Sequence, residues 1–364
     1  MRSSIMQTDF PSRDSIFGPD EAPSVSVVIP AYNAASTIGA CIRAVLAAEY
    51  EGRVEVIVVD DCSTDDTVEI AEGMGCRLVR QKRNGGPARA RNDGAGVARG
   101  EILIFVDADT QMRRDSILEA VRALSRDGVG AVSGMYEPEP INTGFFQRYY
   151  AYLKYQAYCA NDTDRINVFS GQCGAIGKAL FDRLGGYSSI AWGVDIENEE
   201  LGLRINRRSV VALSRRFRVG HNFPSFRKLL FVFTNRVYWW ILFRHFSKRD
   251  ETVLMTRGFG YATAAMPASA LLATAALLVP DRILSAALTA LSLALACGFA
   301  WGYKGFWWFC RRRRGLAFAL ACAGASALFS FAITSAAARG YWSIAWRTLR
   351  GKELPFTRTA LGTT

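Results

Sequence analysis

The run VEVIVVDDCSTDD (Val54–Asp66) passes within a few residues from a continuous apolar strand to a knot of carboxylates. Five of its first six residues are β-branched, the composition of a strand buried on both faces of a sheet. Two similar runs flank it, Val25–Ile29 before and Ile102–Val106 after. Around them Ala34–Ala48, Asp66–Gly73 and Ala88–Ala98 repeat at helical period. Strand and helix alternate, so the expected fold class is α/β, with a doubly wound, mostly parallel sheet. Ligands of such sheets bind beyond the carboxyl ends of the strands. That rule selects Pro30–Asn33, Asp60–Asp66 and Asp107–Gln111.

Charge divides the 364 residues into unlike parts. Residues 1–220 carry 26 basic and 29 acidic side chains, whereas 221–364 carry 18 basic and four acidic ones. A nucleic-acid binder would show a basic face on its folded domain. A basic, apolar back half behind a mildly acidic front argues instead for a soluble domain held at a membrane with anionic head groups, with no nucleic acid as partner. Eight cysteines without a Cys-x-x-Cys pair, and only two histidines, argue against a Cys/His zinc site and fit a reducing compartment. Residues 1–23 are polar and read as a flexible leader, without the apolar core of a secretory signal.

The back half holds three uncharged segments, Gly258–Pro280, Ile283–Tyr303 and Gly315–Ala338, of 23, 21 and 24 residues. A helix needs ~20 residues to cross hydrocarbon, so 258–338 reads as about three transmembrane spans, followed by a basic tail, 339–364. Phe223–Phe246 mixes aromatics with Arg227, Lys228, Arg236 and Arg244. It is expected as an amphipathic helix within an interfacial segment, 223–257. Phe145–Tyr158 reads either as a second such contact or as a core helix. Arg311–Arg314 marks a cytoplasmic loop by the positive-inside bias, which puts the front domain in the cytoplasm on a multi-pass chain in the inner membrane. The basic tail conflicts with a third full crossing, and a re-entrant Gly315–Ala338 is the alternative.

Carboxylates gathered at one sheet edge repel each other unless a cation or hydrogen-bond donors sit among them. Asp107-Ala108-Asp109, in a turn after an apolar strand, has the spacing to hold Mg²⁺ or Mn²⁺, which in turn neutralises a diphosphate. Asp60 and Asp61 have the alternative of hydrogen-bonding a base and ribose. Asp65 or Asp66 is expected to cap the next helix.

Four motifs, Val27–Asn33 (VVIPAYN), Val58–Thr67 (VVDDCSTDDT), Asn84–Asn92 (NGGPARARN) and Phe105–Asp109 (FVDAD), resemble in order and spacing the inverting family 2 glycosyltransferases. The resemblance is dense over 24–110 and looser to about 222. It implies a GT-A fold over 24–222, a UDP- or GDP-sugar donor and a divalent metal. It also implies that Pro30, Ala31, Tyr32, Asn33, Asp60, Asp61 and Arg89 line the donor site. Asp107, Ala108 and Asp109 would meet the diphosphate, with Asp107 and Asp109 on the metal. Gln111 matches a position beside the metal in the polyprenyl-phosphate sugar transferases of that family.

Phe169–Lys178 and Gly185–Tyr187 are similar to the family's acceptor-side loop, and Asp195–Arg204 to its Glu-Asp-x-Glu-Leu-x-x-Arg helix. The family places its base at the Asp of Glu-Asp, where this chain has Asn198, and an amide cannot take the proton. Two readings follow: Asp195 or Glu197 serves as base, or the acceptor is already an anion such as a lipid phosphate. The arginines from Arg204 to Arg218 read as a solvated or membrane-facing patch, or as phosphate ligands. Val219-Gly-His221 resembles a strand end whose histidine approaches the metal; a structural histidine is the other reading. The expected activity is transfer of a sugar to a lipid or lipid-linked acceptor at the cytoplasmic face, with a processive polysaccharide synthase or a non-catalytic scaffold as alternatives.

Overall fold

The computed structural model describes residues 22–160, 163–188, 196–247 and 257–352. The leader up to residue 21, Asp195 and the tail from residue 353 lie outside them. The chain divides into two compact units, Met1–Asn142 with Asp162–Asn222, and Thr143–Asn161 with Phe223–Thr364.

In the first unit β1 (Val25–Ala31), α1 (Ile38–Leu46), β2 (Val54–Asp60), α2 (Thr67–Gly73), β3 (Arg77–Arg80), α3 (Pro87–Val97) and β4 (Ile102–Val106) follow each other, all but β3 being elements that the sequence pattern expects. Then come β5 (Thr110–Met112), α4 (Ser116–Leu124) and β6 (Val129–Tyr136). After α5 (Phe145–Cys159), which belongs to the second unit, the first resumes with β7 (Arg165–Ile166), β8 (Cys173–Gly177), α6 (Lys178–Leu184), α7 (Glu197–Asn206) and β9 (Val210–His221). The strands form one sheet in the order β3-β2-β1-β4-β8-β6-β9-β5, with β7 also on β9. From β3 to β4 every pairing is parallel, and all of β1 and β4 is buried. Beyond β4 the sheet is mixed: β8 runs antiparallel to both β4 and β6, β9 parallel to β6, and β5 antiparallel to β9.

The order reverses at β1, which has β2 on one side and β4 on the other, so the switch-point crevice opens beyond the carboxyl ends of β1 and β4. Helix α3 packs close to this line because Gly94 has no side chain: a Cβ there would lie 2.4 Å from Val28 Cγ1 and 2.9 Å from Val59 Cγ2. Ala88, Arg91 and Ala95 share the buried face of α3, so an arginine sits where the helix otherwise presents alanines to the sheet.

In the second unit α5 has Tyr149, Tyr150 and Tyr152 buried, which is the core-helix reading of that stretch. Helix α8 (Phe226–Ser247) covers the segment expected to be amphipathic, but its apolar side chains are not confined to one face: Leu229 and Phe233 are buried while Leu230 and Phe231 are exposed. α9 (Arg257–Leu278) and α10 (Arg282–Leu349) are two helices long and apolar enough to cross a membrane. The loop expected at Arg311–Arg314 is helical, and the break falls one residue later at Gly315, whose φ of 85° only glycine adopts readily. The expected spans at Ile283–Tyr303 and Gly315–Ala338 therefore lie within one helix interrupted once, and that helix runs through Arg339 and Arg347 to Leu349. Leu271, Leu277, Ile283, Leu293, Trp301, Leu320 and Trp342 are exposed along α9 and α10.

Candidate active site

The carboxyl ends of β1 and β2 are tied to each other by their own side chains. Pro30 and Ala31 close β1, Ala31 faces Asp60 across the pairing, and the Asp61 N–H donates to the Ala31 carbonyl at 2.8 Å. Asn33 takes a left-handed φ of 48°, one of the few non-glycine types that do so at low cost. Its Oδ1 accepts from the Thr64 N–H at 2.8 Å, and its own N–H donates to Ser63 Oγ at 3.0 Å. Asp60 is buried and accepts from the Ser63 N–H at 3.1 Å. Asp61 is also buried, and both its oxygens are engaged: Gly85 N–H donates to Oδ1 at 2.7 Å and Gly86 N–H to Oδ2 at 2.8 Å. Asp61 thus sets the turn that starts α3. Tyr32 is about half exposed at the crevice rim. Arg89, half-buried in the first turn of α3, lies 3.7 Å from Asp93. Of the two cap candidates, Asp66 holds the cap position but Asp65 makes the bonds, accepting from the Thr67 and Ala35 N–H groups.

A different arrangement holds beyond β4. Asp107, Asp109 and His221 bring one ligand atom each within 4.8 Å of one another. The sheet does this: β5 runs antiparallel to the end of β9 with Thr110 opposite His221, and Asn222 N–H donates to the Asp109 carbonyl at 3.2 Å. His221 Nε2 lies 3.4 Å from Asp109 Oδ1, and the ring meets Tyr136 edge-on with centroids 5.1 Å apart. Two carboxylates and one imidazole make a donor set that fits a divalent cation such as Mg²⁺ or Mn²⁺, and the chain has the set in place. Gln111 is half-buried on β5 opposite Gly220, next in the chain to Thr110. Ala108 is buried between the two aspartates. The Cys41 Sγ donates to the Asp107 carbonyl at 3.5 Å, and burial first, then Asp109 and Asp107, push its thiol far up.

Arg91 joins this cluster to the start of α7. Its Nη2 donates to Asp107 Oδ1 at 2.7 Å, its Nη1 lies 3.7 Å from Glu197 Oε1, and its guanidinium stands 5.5 Å from the Tyr187 ring centre. Burial works against the charge, yet Asp107 foremost among its neighbours holds the guanidinium above its ordinary pKa. Glu197 opens α7, and Asn198 beside it accepts the Gly171 N–H on Oδ1 at 3.0 Å. Arg204 is engaged twice over: it forks onto buried Glu200 at 2.6 and 2.7 Å and donates to the Leu184 and Gly186 carbonyls. Arg215 pairs with Asp164, and Arg218 Nε donates to the Arg215 carbonyl at 2.6 Å. Arg204 is therefore a framework residue, whereas the Arg215 and Arg218 side chains stay partly exposed.

The sequence reading missed Arg91. Its position in the Ala88, Arg91, Ala95 stripe is the available signal, since the neighbouring Arg89 falls off that stripe.

Residues 26–185 match the family described as Glycosyl transferase family 2. Over 155 residues the chain is 30% identical to the glycosyltransferase GlyG of Streptococcus pneumoniae serotype 4, covering 41% of this chain and 50% of that one. It is 32% identical over 151 residues to the dodecaprenyl-phosphate galacturonate synthase of Rhizobium johnstonii, covering 39% and 43%. The chain thus spans half or less of these curated relatives. Among solved structures, the mannosyltransferase PcManGT from Pyrobaculum calidifontis, in complex with GDP-Man and Mn²⁺, shares the fold with a TM-score of 0.54 at 21% identity, over 89% of this chain and 90% of that one.

Proposed function

With residues 26–185 forming a glycosyl transferase family 2 domain, we propose that this chain is a membrane-bound, metal-dependent, inverting glycosyltransferase. It moves a hexosyl group from a UDP- or GDP-sugar to a lipid or lipid-linked acceptor at the cytoplasmic face of the inner membrane. The gathering of Asp107, Asp109 and His221 beside the switch-point crevice carries the proposal. The nucleotide lies against Pro30, Ala31, Tyr32, Asn33, Asp60 and Arg89, while Asp61 shapes the turn beneath it. Asp107, Asp109 and His221, with Gln111, would hold Mg²⁺ or Mn²⁺, which would supply positive charge to the leaving diphosphate.

The acceptor oxygen attacks the anomeric carbon opposite the diphosphate. The new C–O bond forms as the bond to the diphosphate oxygen breaks with its electron pair, which inverts the centre. A hydroxyl acceptor gives its proton to Glu197 or Asp195; an ionised lipid phosphate needs no base. The apolar exposed helices α9 and α10 support the membrane reading, and a relative named for a dodecaprenyl-phosphate product supports the lipid acceptor.

The test is a panel of UDP- and GDP-sugars supplied to the full-length chain in detergent with extracted lipids as acceptor. One donor is expected to give a lipid-extractable product that EDTA abolishes and Mn²⁺ restores. No transfer from any donor under either condition overturns the proposal.

A further inference from the structure

A guanidinium buried to 2% exposure, on the alanine face of a helix, is costly unless each of its donors finds a partner. Arg91 meets that demand only in part. Nη2 has its short bond to Asp107, but Nε and Nη1 make no hydrogen bond among the described residues. Nη1 looks towards Glu197 from 3.7 Å, just beyond hydrogen-bond range. The surroundings are built to keep the side chain there. Gly171 leaves it room, since a Cβ at that position would lie 2.6 Å from Arg91 Cζ, and the Tyr187 ring packs beside it. The Gly171 N–H is in turn held by Asn198, next to Glu197 on α7. One guanidinium thus touches a carboxylate of the metal cluster and stands one small shift from a carboxylate of the acceptor helix.

We infer that Arg91 is a positioning residue that couples these two carboxylates. By holding Asp107 Oδ1 it leaves Oδ2 as the oxygen offered to a cation. By drawing Glu197 onto Nη1 it refers the start of α7 to that same cation site. Engagement at one carboxylate is thereby felt at the other, although Glu197 is outside the cluster of three and 3.7 Å from the arginine. The inference rests on the reading of Asp107, Asp109 and His221 as a metal site, and needs neither the donor nor the acceptor to be known.

The experiment is a Mn²⁺ titration of the full-length chain without substrate, by calorimetry or by the electron-spin signal of free Mn²⁺. Loss of a group that orients a metal ligand ordinarily costs about 10–100-fold in affinity, and Arg91→Gln is expected to fall in that range. Arg91→Lys, which can still donate to Asp107, is expected to recover part of the loss. Glu197→Gln is expected to weaken Mn²⁺ severalfold in the otherwise native chain and to add nothing once Arg91 is replaced by Gln. A purely structural arginine would instead lower the melting temperature and leave the Mn²⁺ affinity of the folded fraction unchanged, which overturns the inference. Effects of Arg91→Gln and Glu197→Gln that simply multiply also overturn it. Where Arg91→Gln does not fold, Glu197→Gln alone decides, because unchanged Mn²⁺ affinity in that variant contradicts the coupling. A native chain that takes up no Mn²⁺ would remove the metal reading itself, an outcome distinct from native binding that the variants leave untouched.

Discussion

The β2 region and the β4–β5–β9 junction both place aspartates at the carboxyl edge of one sheet, and they use them in opposite ways. Around β2 the chain consumes its own carboxylates. Asp61 takes two glycine N–H groups, Asp60 takes one from Ser63, and Asp65 takes those of Ala35 and Thr67. At the junction, Asp107 and Asp109 are turned towards each other and towards His221, with Arg91 on one oxygen of Asp107. The first pattern shapes the loops through backbone donors, and the second holds like charges together where we propose that a cation binds. Runs that look alike as Asp-Asp and Asp-x-Asp thus part company once backbone donors are counted.

The largest effect belongs to the junction. Asp109→Ala should lower sugar transfer by at least about 10³-fold, ~4 kcal/mol in barrier, because a ligand of the proposed cation that would face the diphosphate is lost. In EDTA the same variant should melt no lower than the native chain, since it relieves repulsion within the cluster. Added Mn²⁺ should raise the melting temperature of the native chain only, by binding the folded state. Assays and melts with and without metal check both halves. A variant that keeps its activity, or that unfolds in EDTA, erases the distinction between the regions.

Next comes Asp61→Ala, which strands the N–H groups of Gly85 and Gly86 at the start of α3. Hydrogen bonds to a charged acceptor are worth about 1.5–3 kcal/mol each, and water can recover part of that at a loop, so a net loss of about 2–3 kcal/mol is expected. Denaturant unfolding measures it. An unchanged midpoint would show that the loop stands without its carboxylate and that Asp61 belongs with the site.

The contrast marks how far sequence carries. β1, β2 and β4 were legible because a strand covered on both faces must be apolar throughout, and the aspartates after them were legible because a parallel sheet fixes which end faces the crevice. β8 was not, since Cys173–Gly177 is short, glycine-bearing and carries little strand signal. β9 reads as an arginine patch until β6 and β5 are seen to flank it, and that pairing is what delivers His221, 112 residues from Asp109 in the chain, to the cluster. Arg91 required both its helix face and its partners on β4 and α7, so no local pattern could assign its place between Asp107 and Glu197. In the second unit the apolar segments showed where helices would run, whereas the break at Gly315 depended on a single backbone angle.

The smallest effect tests whether the β2 pattern extends to the other end of that strand. Glu55, second residue of β2, accepts from the Ser26 hydroxyl and from the Arg99 N–H at 2.6 Å, with Gly100 adding a further backbone donor. Partial burial pushes its pKa up, but these hydrogen bonds outweigh burial and hold it below its ordinary 4.5. A carboxylate with a lower pKa folded than unfolded binds fewer protons in the native state. Its contribution is therefore fully present above about pH 4.5, the unfolded value, and is lost as pH falls through the folded pKa. Glu55→Gln keeps an acceptor of the same shape without the charge, so at pH 7 it should cost only about 1 kcal/mol. Unfolding measured from pH 7 to pH 3 should show that gap narrowing and closing in acid, where the native side chain is itself neutral. A gap that stays constant down to pH 3 would mean that shape rather than charge holds the loop at Arg99 and Gly100, and the carboxylates of this region would then no longer form one class.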